Sequence, residues 1–338
     1  MDITTLLNKT VEGRDLTQKE AGGFIDLCAQ GILTRSQIAA MLASLRTKGE
    51  TIGEIVGLIS GMRKHMTPIA RFQESIDTCG TGGDGSHSFN ISTTVAFVAA
   101  GAGVSVAKHG NRAASSLCGS ADVLEKLGVN IMLTPKIAEK VLKKVRVVFL
   151  FAQLYHPAVK HIAPVRKELG IRTVFNYLGP FLNPAKVKRQ IIGVPNSAIA
   201  KTLGLVATHL DYDHLLIVSS KDRLDEISTS AKTSVLEVKK NKIRTFTIAP
   251  SQFGIQRSSP EHILGGDALK NAEIMKDILS GKKGPKRDIV LLNGGAAIYV
   301  AGIAKSIKEG IHMAEKSIDS GSAMQILQNL INETNRYG

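Results

Sequence analysis

The chain has 338 residues, enough for one large or two ordinary domains, and its 43% hydrophobic and 21% charged content describes a folded protein rather than a disordered one. Lys and Arg outnumber Asp and Glu by 43 to 29, and this excess of +14 points to polyanionic partners, either nucleic acid or phosphorylated small molecules. With no Trp and 4% aromatics, a stacking platform for single strands is disfavoured.

The first residues mix acids and bases, and the longest uncharged stretch, 85–107, is broken by His87, Asn90 and several small polar residues. Neither a secretory signal nor a membrane span is legible there. Cys28, Cys79 and Cys118 have no metal-ligand spacing, so reduced thiols in a cytoplasmic protein are expected.

The first ~65 residues predict a helical unit. Three capping boxes follow one another, Thr17-x-x-Glu20, Thr34-x-x-Gln37 and Thr51-x-x-Glu54, each pairing a hydroxyl with an orphan amide and a later side chain with the cap. Behind the second, Ile38, Met41, Leu42 and Leu45 form an apolar stripe at helical spacing; behind the third, Ile55, Leu58, Ile59 and Met62 do the same. From Phe72 the pattern changes to short β-rich runs alternating with glycine-rich turns and helices: SID before CGTGGDG, VSVA before KHGNR, VVFLFA before QLYHPA, QIIGV, and LLIVSS before KDRLDEIS. This alternation predicts a mainly parallel sheet in an α/β domain, with ligands gathering where loops leave the carboxyl ends of strands. VLEVKKNKIRTFTI reads as a hairpin turning at Lys240–Asn241, and the tail from Asp288 reads as helical. The expected fold class is therefore α/β, a small all-helical N-terminal domain plus a larger α/β domain with a mainly parallel central sheet. Expected boundaries are 1–70, joined by part of 160–190, and 71–338.

Four segments carry chemistry. Gly80, Gly82, Gly83 and Gly85 fall within six residues and let a ligand approach the backbone without a Cβ in the way. Asn90-Ile91-Ser92-Thr93 then opens an apolar helical stretch, so loop and helix start together make a phosphate cradle. The spacing fits neither a Rossmann fingerprint nor a Walker A motif, and taken alone such a loop can be no more than a tight turn. Lys108, His109, Asn111, Arg112, Ser115 and Ser116 place cations, an imidazole, an amide and hydroxyls directly after a strand, which suits a phosphate-rich ligand, though an exposed basic loop would look the same. Asp225-Glu226, after another strand, has the oxygen donors Mg²⁺ prefers beside phosphates; as an isolated pair it would be plain surface. His156 and Arg166 flank a helix with Pro157 near its start and Gly170 at its stop, and the arginine fork matches a carboxylate.

Taken together, GTGGDG, NIST, KHGNRAASS, HPAVKHIAPVRKELGIRTVFN and LDEIS, in this order, closely resemble the anthranilate phosphoribosyltransferase family, and the likeness extends to LLNGGAAIYVAG (291–302) and EGIHMAEKSIDSG (309–321). The resemblance implies a nucleoside phosphorylase-like fold, a homodimer and a Mg²⁺-dependent step of tryptophan biosynthesis. It implies that Gly80, Gly83, Asp84, Ser88, Asn90, Ile91, Ser92 and Thr93 hold phosphoribosyl pyrophosphate. Lys108, His109, Gly110, Asn111, Arg112, Ala113, Ala114, Ser115, Ser116 and Ser120 would close over it. It implies further that Ser92, Asp225 and Glu226 hold Mg²⁺, that Gly80, Asn111 and Arg166 hold anthranilate, and that His109 and His156 border that acceptor. An aromatic amine is unprotonated near neutral pH, so no general base is assigned. Leu117 stands where the family usually has a third serine, Gln153 where the run FAP is common, and Arg223 where glycine is frequent before the metal carboxylates. Two rival readings remain at this stage. One is a pyrimidine nucleoside phosphorylase; the other is a non-enzymatic nucleic-acid-binding relative, disfavoured by an intact motif set.

Overall fold

The computed structural model describes residues 2–70, 72, 74–113 and 117–337. The chain opens with α1 (Ile3–Val11), α2 (Gln18–Gln30), α3 (Arg35–Lys48) and α4 (Ile52–Lys64). Next come β1 (Ile76–Gly80), α5 (Ile91–Gly101), β2 (Val106–Gly110), α6 (Ser120–Lys126), α7 (Pro135–Val145) and β3 (Val147–Phe151). A helical stretch follows, α8 (Ala152–Tyr155), α9 (Val159–Leu169) and α10 (Phe175–Leu178), before β4 (Arg189–Gly193), α11 (Ser197–Thr208), β5 (His214–Ser220), β6 (Thr233–Lys239) and β7 (Lys242–Ile248). The last helices are α12 (Ala268–Leu279), α13 (Pro285–Ala301), α14 (Ile307–Asp319) and α15 (Ser322–Asn335). Two compact units result, Met1–Pro68 with Gln153–Pro184, and Ile69–Ala152 with Ala185–Gly338. None of the described helices is long and apolar enough to cross a membrane.

In the helical unit all three capping boxes form, with Thr17, Thr34 and Thr51 accepting from the backbone of Glu20, Gln37 and Glu54. Both apolar stripes are buried. Glu54 does more than close its box. Fully buried, it accepts from Leu16 N–H at 2.8 Å and from the Lys48 ammonium at 2.9 Å, so one carboxylate joins the α1–α2 connection to α3 and α4. Helices α2 and α4 meet through glycine. A Cβ on Gly61 would lie 2.8 Å from both the Gly22 carbonyl and Ile25 Cβ, and one on Gly57 would overlap the Gln18 carbonyl.

The second unit is built on one seven-stranded sheet of order β3-β2-β1-β4-β5-β6-β7. The pairings from β3 through β5 are parallel; β5–β6 and β6–β7 are antiparallel. Strand β5, interior to the sheet, is buried along its whole length, as a strand covered on both faces requires, and so is the edge strand β3. The hairpin turns where expected, with Lys240 and Asn241 both at positive φ (48° and 60°), the conformation of a two-residue turn matched to strand twist. Strand β2 differs from the sequence expectation: it runs from Val106 to Gly110 and takes in Lys108 and His109, which were read as loop. Full pairing with β3, from Val106 with Val147 to Gly110 with Phe151, holds them in the sheet.

Candidate active site

From β1 the chain goes outward to β2 and β3, then returns to β4 on β1's other side. The crevice between β1 and β4 is therefore the point where the winding reverses, and in open α/β sheets ligands bind there, beyond the carboxyl ends of the strands. The last rung pairs Gly80 with Gly193. Both are glycine for a reason: a Cβ on Gly80 would overlap the Asp225 carboxylate, and one on Gly193 would overlap the Asp225 backbone carbonyl. The loop after β5 thus lies directly on the switch point. Gly193 was not singled out in the sequence, because a glycine ending a strand resembles any other strand stop.

Asp225 is bound into the glycine loop from both ends. Its Oδ2 accepts from Gly82 N–H at 3.1 Å, and its own N–H donates to Asp84 Oδ2 at 3.3 Å. Asp84 also accepts from Ser86 N–H at 3.0 Å, and Gly82, Gly83 and Gly85 all sit at φ near +70°, which only glycine adopts cheaply. The Glu226 carboxylate meets the backbone N–H of Ser92, at the first turn of α5. Both acids are pushed above the ordinary carboxylate range, Asp225 by burial and then by Asp84, Glu226 by burial and then by Asp225. Arg223, two residues earlier, holds the glycine-like φ of 68°, so the loop keeps the left-handed turn despite the larger side chain.

Beneath this loop, β1 and β2 share one backbone rung, Ile76 with Val106, and side chains bridge the remainder. Asp77 Oδ1 accepts from His109 N–H at 3.2 Å, while the buried Lys108 ammonium donates to the Thr78 carbonyl and to Ser92 Oγ at 3.2 Å. Burial lowers the Lys108 pKa; Asp77, Cys79 and Glu226 oppose that shift. Ile91 and Thr93 are buried too, so their side chains face the core and only their backbone is available to the loop. Ser88 accepts from Ser86 Oγ at 3.2 Å, and Asn90 from Asn271 Nδ2 at 2.9 Å.

The loop after β2 is tied down by α6. Ser120 Oγ donates to the Asn111 carbonyl at 3.2 Å, and Asp122 accepts from Ala113 and Gly119 N–H at 3.0 and 2.8 Å. A Cβ on Gly110 would overlap Ser120 Oγ, so that position too is closely packed. Arg112 does not reach into the glycine loop: it pairs with Asp122 and Glu125 and lies over the Phe151 ring at 5.4 Å. Ala114, Ser115 and Ser116 lie outside the described residues. Leu117, just after them, is 71% exposed.

Within the helical unit, His156 and Pro157 precede α9, but Arg166 lies inside its last turn rather than flanking it, and Gly170 ends the helix at φ 63° as expected. His156 is buried, and burial pulls it down to about 4, against a hydrogen bond with the Leu182 backbone. Arg166 stacks over the Phe175 ring at 5.7 Å; burial lowers its pKa, and among the described residues no carboxylate pairs with it. Pro164 lies inside α9, within the helix the sequence places between Pro157 and Gly170.

Residues 73–324 match the model described as glycosyl transferase family, a/b domain, and residues 4–66 match the glycosyl transferase family, helical bundle domain. The anthranilate phosphoribosyltransferase of Methanobrevibacter smithii is 49% identical over 333 residues, covering 98% of this chain and 99% of the relative. That of Symbiobacterium thermophilum is 46% identical over 335 residues, with 99% and 98% covered. Among solved structures, the Thermus thermophilus anthranilate phosphoribosyltransferase superposes with a TM-score of 0.91 at 36% identity, covering 98% of this chain and 99% of that one. The Saccharomyces cerevisiae enzyme in complex with PRPP and Mg gives a TM-score of 0.90 at 28% identity, covering 99% and 98%.

Proposed function

The chain belongs to the anthranilate phosphoribosyltransferase family, and from that membership we propose that it transfers the phosphoribosyl group of 5-phosphoribosyl 1-pyrophosphate to anthranilate, in tryptophan biosynthesis. The observation that carries the reading is Asp225 seated on the last residues of β1 and β4, hydrogen-bonded into a loop of positive-φ glycines. Full-length likeness to curated anthranilate phosphoribosyltransferases favours this over nucleoside phosphorolysis.

The donor set fits Mg²⁺. Asp225, Glu226 and the Ser92 hydroxyl are hard oxygen ligands, and the two acids, raised by burial and by neighbouring charge, form a site that a cation would relieve. Among the described residues no three His, Cys, Asp or Glu side chains gather as a metal group, so the pair supplies part of a shell that substrate phosphates complete. When bound, Mg²⁺ supplies charge neutralisation to the departing pyrophosphate.

In the reaction the bond from C1 to the pyrophosphate oxygen breaks, the amine nitrogen bonds to C1, and the amine proton leaves to solvent. Charge grows on the pyrophosphate, so amides of the glycine loop and of the α5 first turn, with the ammonium of Lys108 beneath, do most of the work. Gly80, Gly83, Asp84, Ser88 and Asn90 to Thr93 form this cradle, with Lys108 to Ala113 and Ser120 alongside it. Arg166, half-buried and without a carboxylate of its own among the described residues, is our choice for the anthranilate carboxylate, with Gly80 and Asn111 at the amine. His109 and His156 border the acceptor. A histidine held as low as His156 stays neutral and orients rather than carries charge. We take the functional form to be a cytoplasmic homodimer, a state that light scattering measures.

The test is direct. Purified protein mixed with phosphoribosyl pyrophosphate, Mg²⁺ and anthranilate should quench anthranilate fluorescence, and EDTA or Asp225→Ala/Glu226→Ala should stop it. Arg166→Ala should raise the KM for anthranilate by about 10- to 100-fold, the worth of a charged hydrogen bond. Phosphorolysis of thymidine or uridine without use of anthranilate would overturn the reading.

A further inference from the structure

The glycine loop is anchored at its far end by a segment, 263–271, that the sequence motifs leave without a role. Gly265 N–H donates to the His87 carbonyl at 2.9 Å, Ser88 and Leu264 form an antiparallel bridge, and Phe89 N–H donates to the Ile263 carbonyl at 3.1 Å. The approach leaves no room. A Cβ on Gly265 would stand 2.6 Å from Asn271 Oδ1 and 2.7 Å from Phe89 Cα. Lys286 reinforces the anchor, donating to the His262 carbonyl at 2.6 Å and lying 5.9 Å from the centre of the Phe89 ring.

Asn271, only 1% exposed in the first turns of α12, starts a directed relay of amides. Gly266 N–H donates to Asn271 Oδ1 at 2.8 Å, Asn271 Nδ2 donates to Asn90 Oδ1 at 2.9 Å, and Asn90 Nδ2 donates to the Cys118 carbonyl at 3.2 Å. Every amide in the relay uses a donor on one side and an acceptor on the other, so the orientation of each is fixed by its neighbours. This has an effect on α5. An asparagine at an N-cap ordinarily turns its oxygen back onto the second or third amide of its helix. Asn90 is the N-cap of α5, yet its side chain makes no capping bond, because its oxygen accepts from Asn271 Nδ2 at 2.9 Å and, more weakly, from the Cys118 thiol at 3.4 Å. The Ser92 amide meets Glu226 instead, a residue of the proposed metal pair.

We propose that Asn271 is a positioning residue for the diphosphate: by holding the Asn90 oxygen away from α5, it leaves the Ser92 amide to Glu226 and the Thr93 amide to substrate oxygens, and fixes the spacing between the glycine loop and the Cys118 loop. This rests on the proposed phosphoribosyl transfer and adds to it a residue that touches neither substrate. The geometry makes Asn271→Asp the informative change. The variant has the same shape and still accepts from Gly266, but it cannot donate to Asn90, whose oxygen keeps only the long contact with the Cys118 thiol and can turn to cap α5.

Steady-state kinetics and thermal unfolding of the full chain, wild type against Asn271→Asp and Asn271→Ala, test the role. The expected result is a rise of about tenfold in KM for phosphoribosyl pyrophosphate, the scale of one buried hydrogen bond. The KM for anthranilate and kcat should stay near their wild-type values, while the melting temperature falls by only a few degrees, the cost of a lost buried hydrogen bond. Calorimetric titration with phosphoribosyl pyrophosphate and Mg²⁺ should show the same loss of affinity. An unchanged KM for the diphosphate substrate overturns the proposal. So does a joint fall of melting temperature, kcat and both affinities, or failure of both variants to fold, since each marks Asn271 as scaffold alone. A wild-type protein that leaves anthranilate unconsumed would instead sink the phosphoribosyl transfer itself, a result distinguishable from all of these.

Discussion

Two residues show most clearly how much of the site a reader of the sequence can see. Asp225 was legible because it follows a strand and precedes Glu226 in a motif; Gly193 was not, because its partner in collision lies on a different loop. Gly193→Ala places a Cβ on the Asp225 carbonyl, and backbone cannot yield as a side chain end does, so turnover should fall at least about 100-fold if the metal loop is displaced by even ~1 Å. Steady-state rates at saturating Mg²⁺ check this. Arg223→Gly separates conformation from charge. Leaving the left-handed region to glycine relieves roughly 1 kcal/mol, and the freer unfolded chain costs about as much, so the melting temperature should barely move. Any change in affinity for the diphosphate then reports the lost cation, and unchanged kinetics excludes a contact. The raised acids make a further prediction: part-protonated near neutral pH, Asp225 and Glu226 should release protons when cation and diphosphate bind. Calorimetric enthalpies at pH 7 should accordingly vary with the ionisation enthalpy of the buffer.

At the level of helices and strands, local signals read well and tertiary ones poorly. The three capping boxes and both apolar stripes needed only near neighbours in sequence, and all are present. The β6–β7 turn followed from Lys240–Asn241 for the same reason. The extent of β2 did not, because pairing with β3 decides it, and α12 carried no motif that would mark Asn271. The glycines of α4 were likewise silent until α2 was seen against them. Gly61→Ala tests whether helix propensity or packing governs: alanine gains under about 1 kcal/mol in an isolated helix, whereas forcing α2 and α4 apart costs roughly 1–3 kcal/mol. Urea unfolding should therefore show net destabilisation. Glu54→Ala should cost more, about 3–5 kcal/mol, since it strands the Lys48 ammonium and the Leu16 amide as well as opening the α4 cap.

For the molecule as a whole, the fold class followed from the alternation of strands and helices, but the strand order did not, since nothing local places β4 beside β1. Global stability should carry a histidine signature. His156 sits at about 4 and His214 is also lowered, by burial against the opposing Glu237, while the unfolded chain titrates near 6.5. The unfolded state therefore binds more protons below that value, so this stability is complete above pH 6.5 and is lost as pH falls toward 4. The raised Asp225 and Glu226 act in the opposite sense, gaining stability on acidification, so the difference between variants is the clean measure. Between pH 7 and 5 the wild type should lose about 2 kcal/mol relative to His156→Gln, checked by urea unfolding at each pH.

The return of the chain to β1's open side has a consequence for biosynthesis. When Gly80 emerges from the ribosome, the strand that completes its pairing, ending at Gly193, is still unmade. From the end of β3 at Phe151 to Gly193 the chain runs 42 residues, so at ~5–20 residues per second the nascent β1-β2-β3 sheet waits roughly 2–8 seconds with a bare edge on what will become an interior strand. That edge is a template for wrong pairing. Newly made chains should thus be most vulnerable to aggregation, and most in need of a holding chaperone, in the interval before β4 is synthesised.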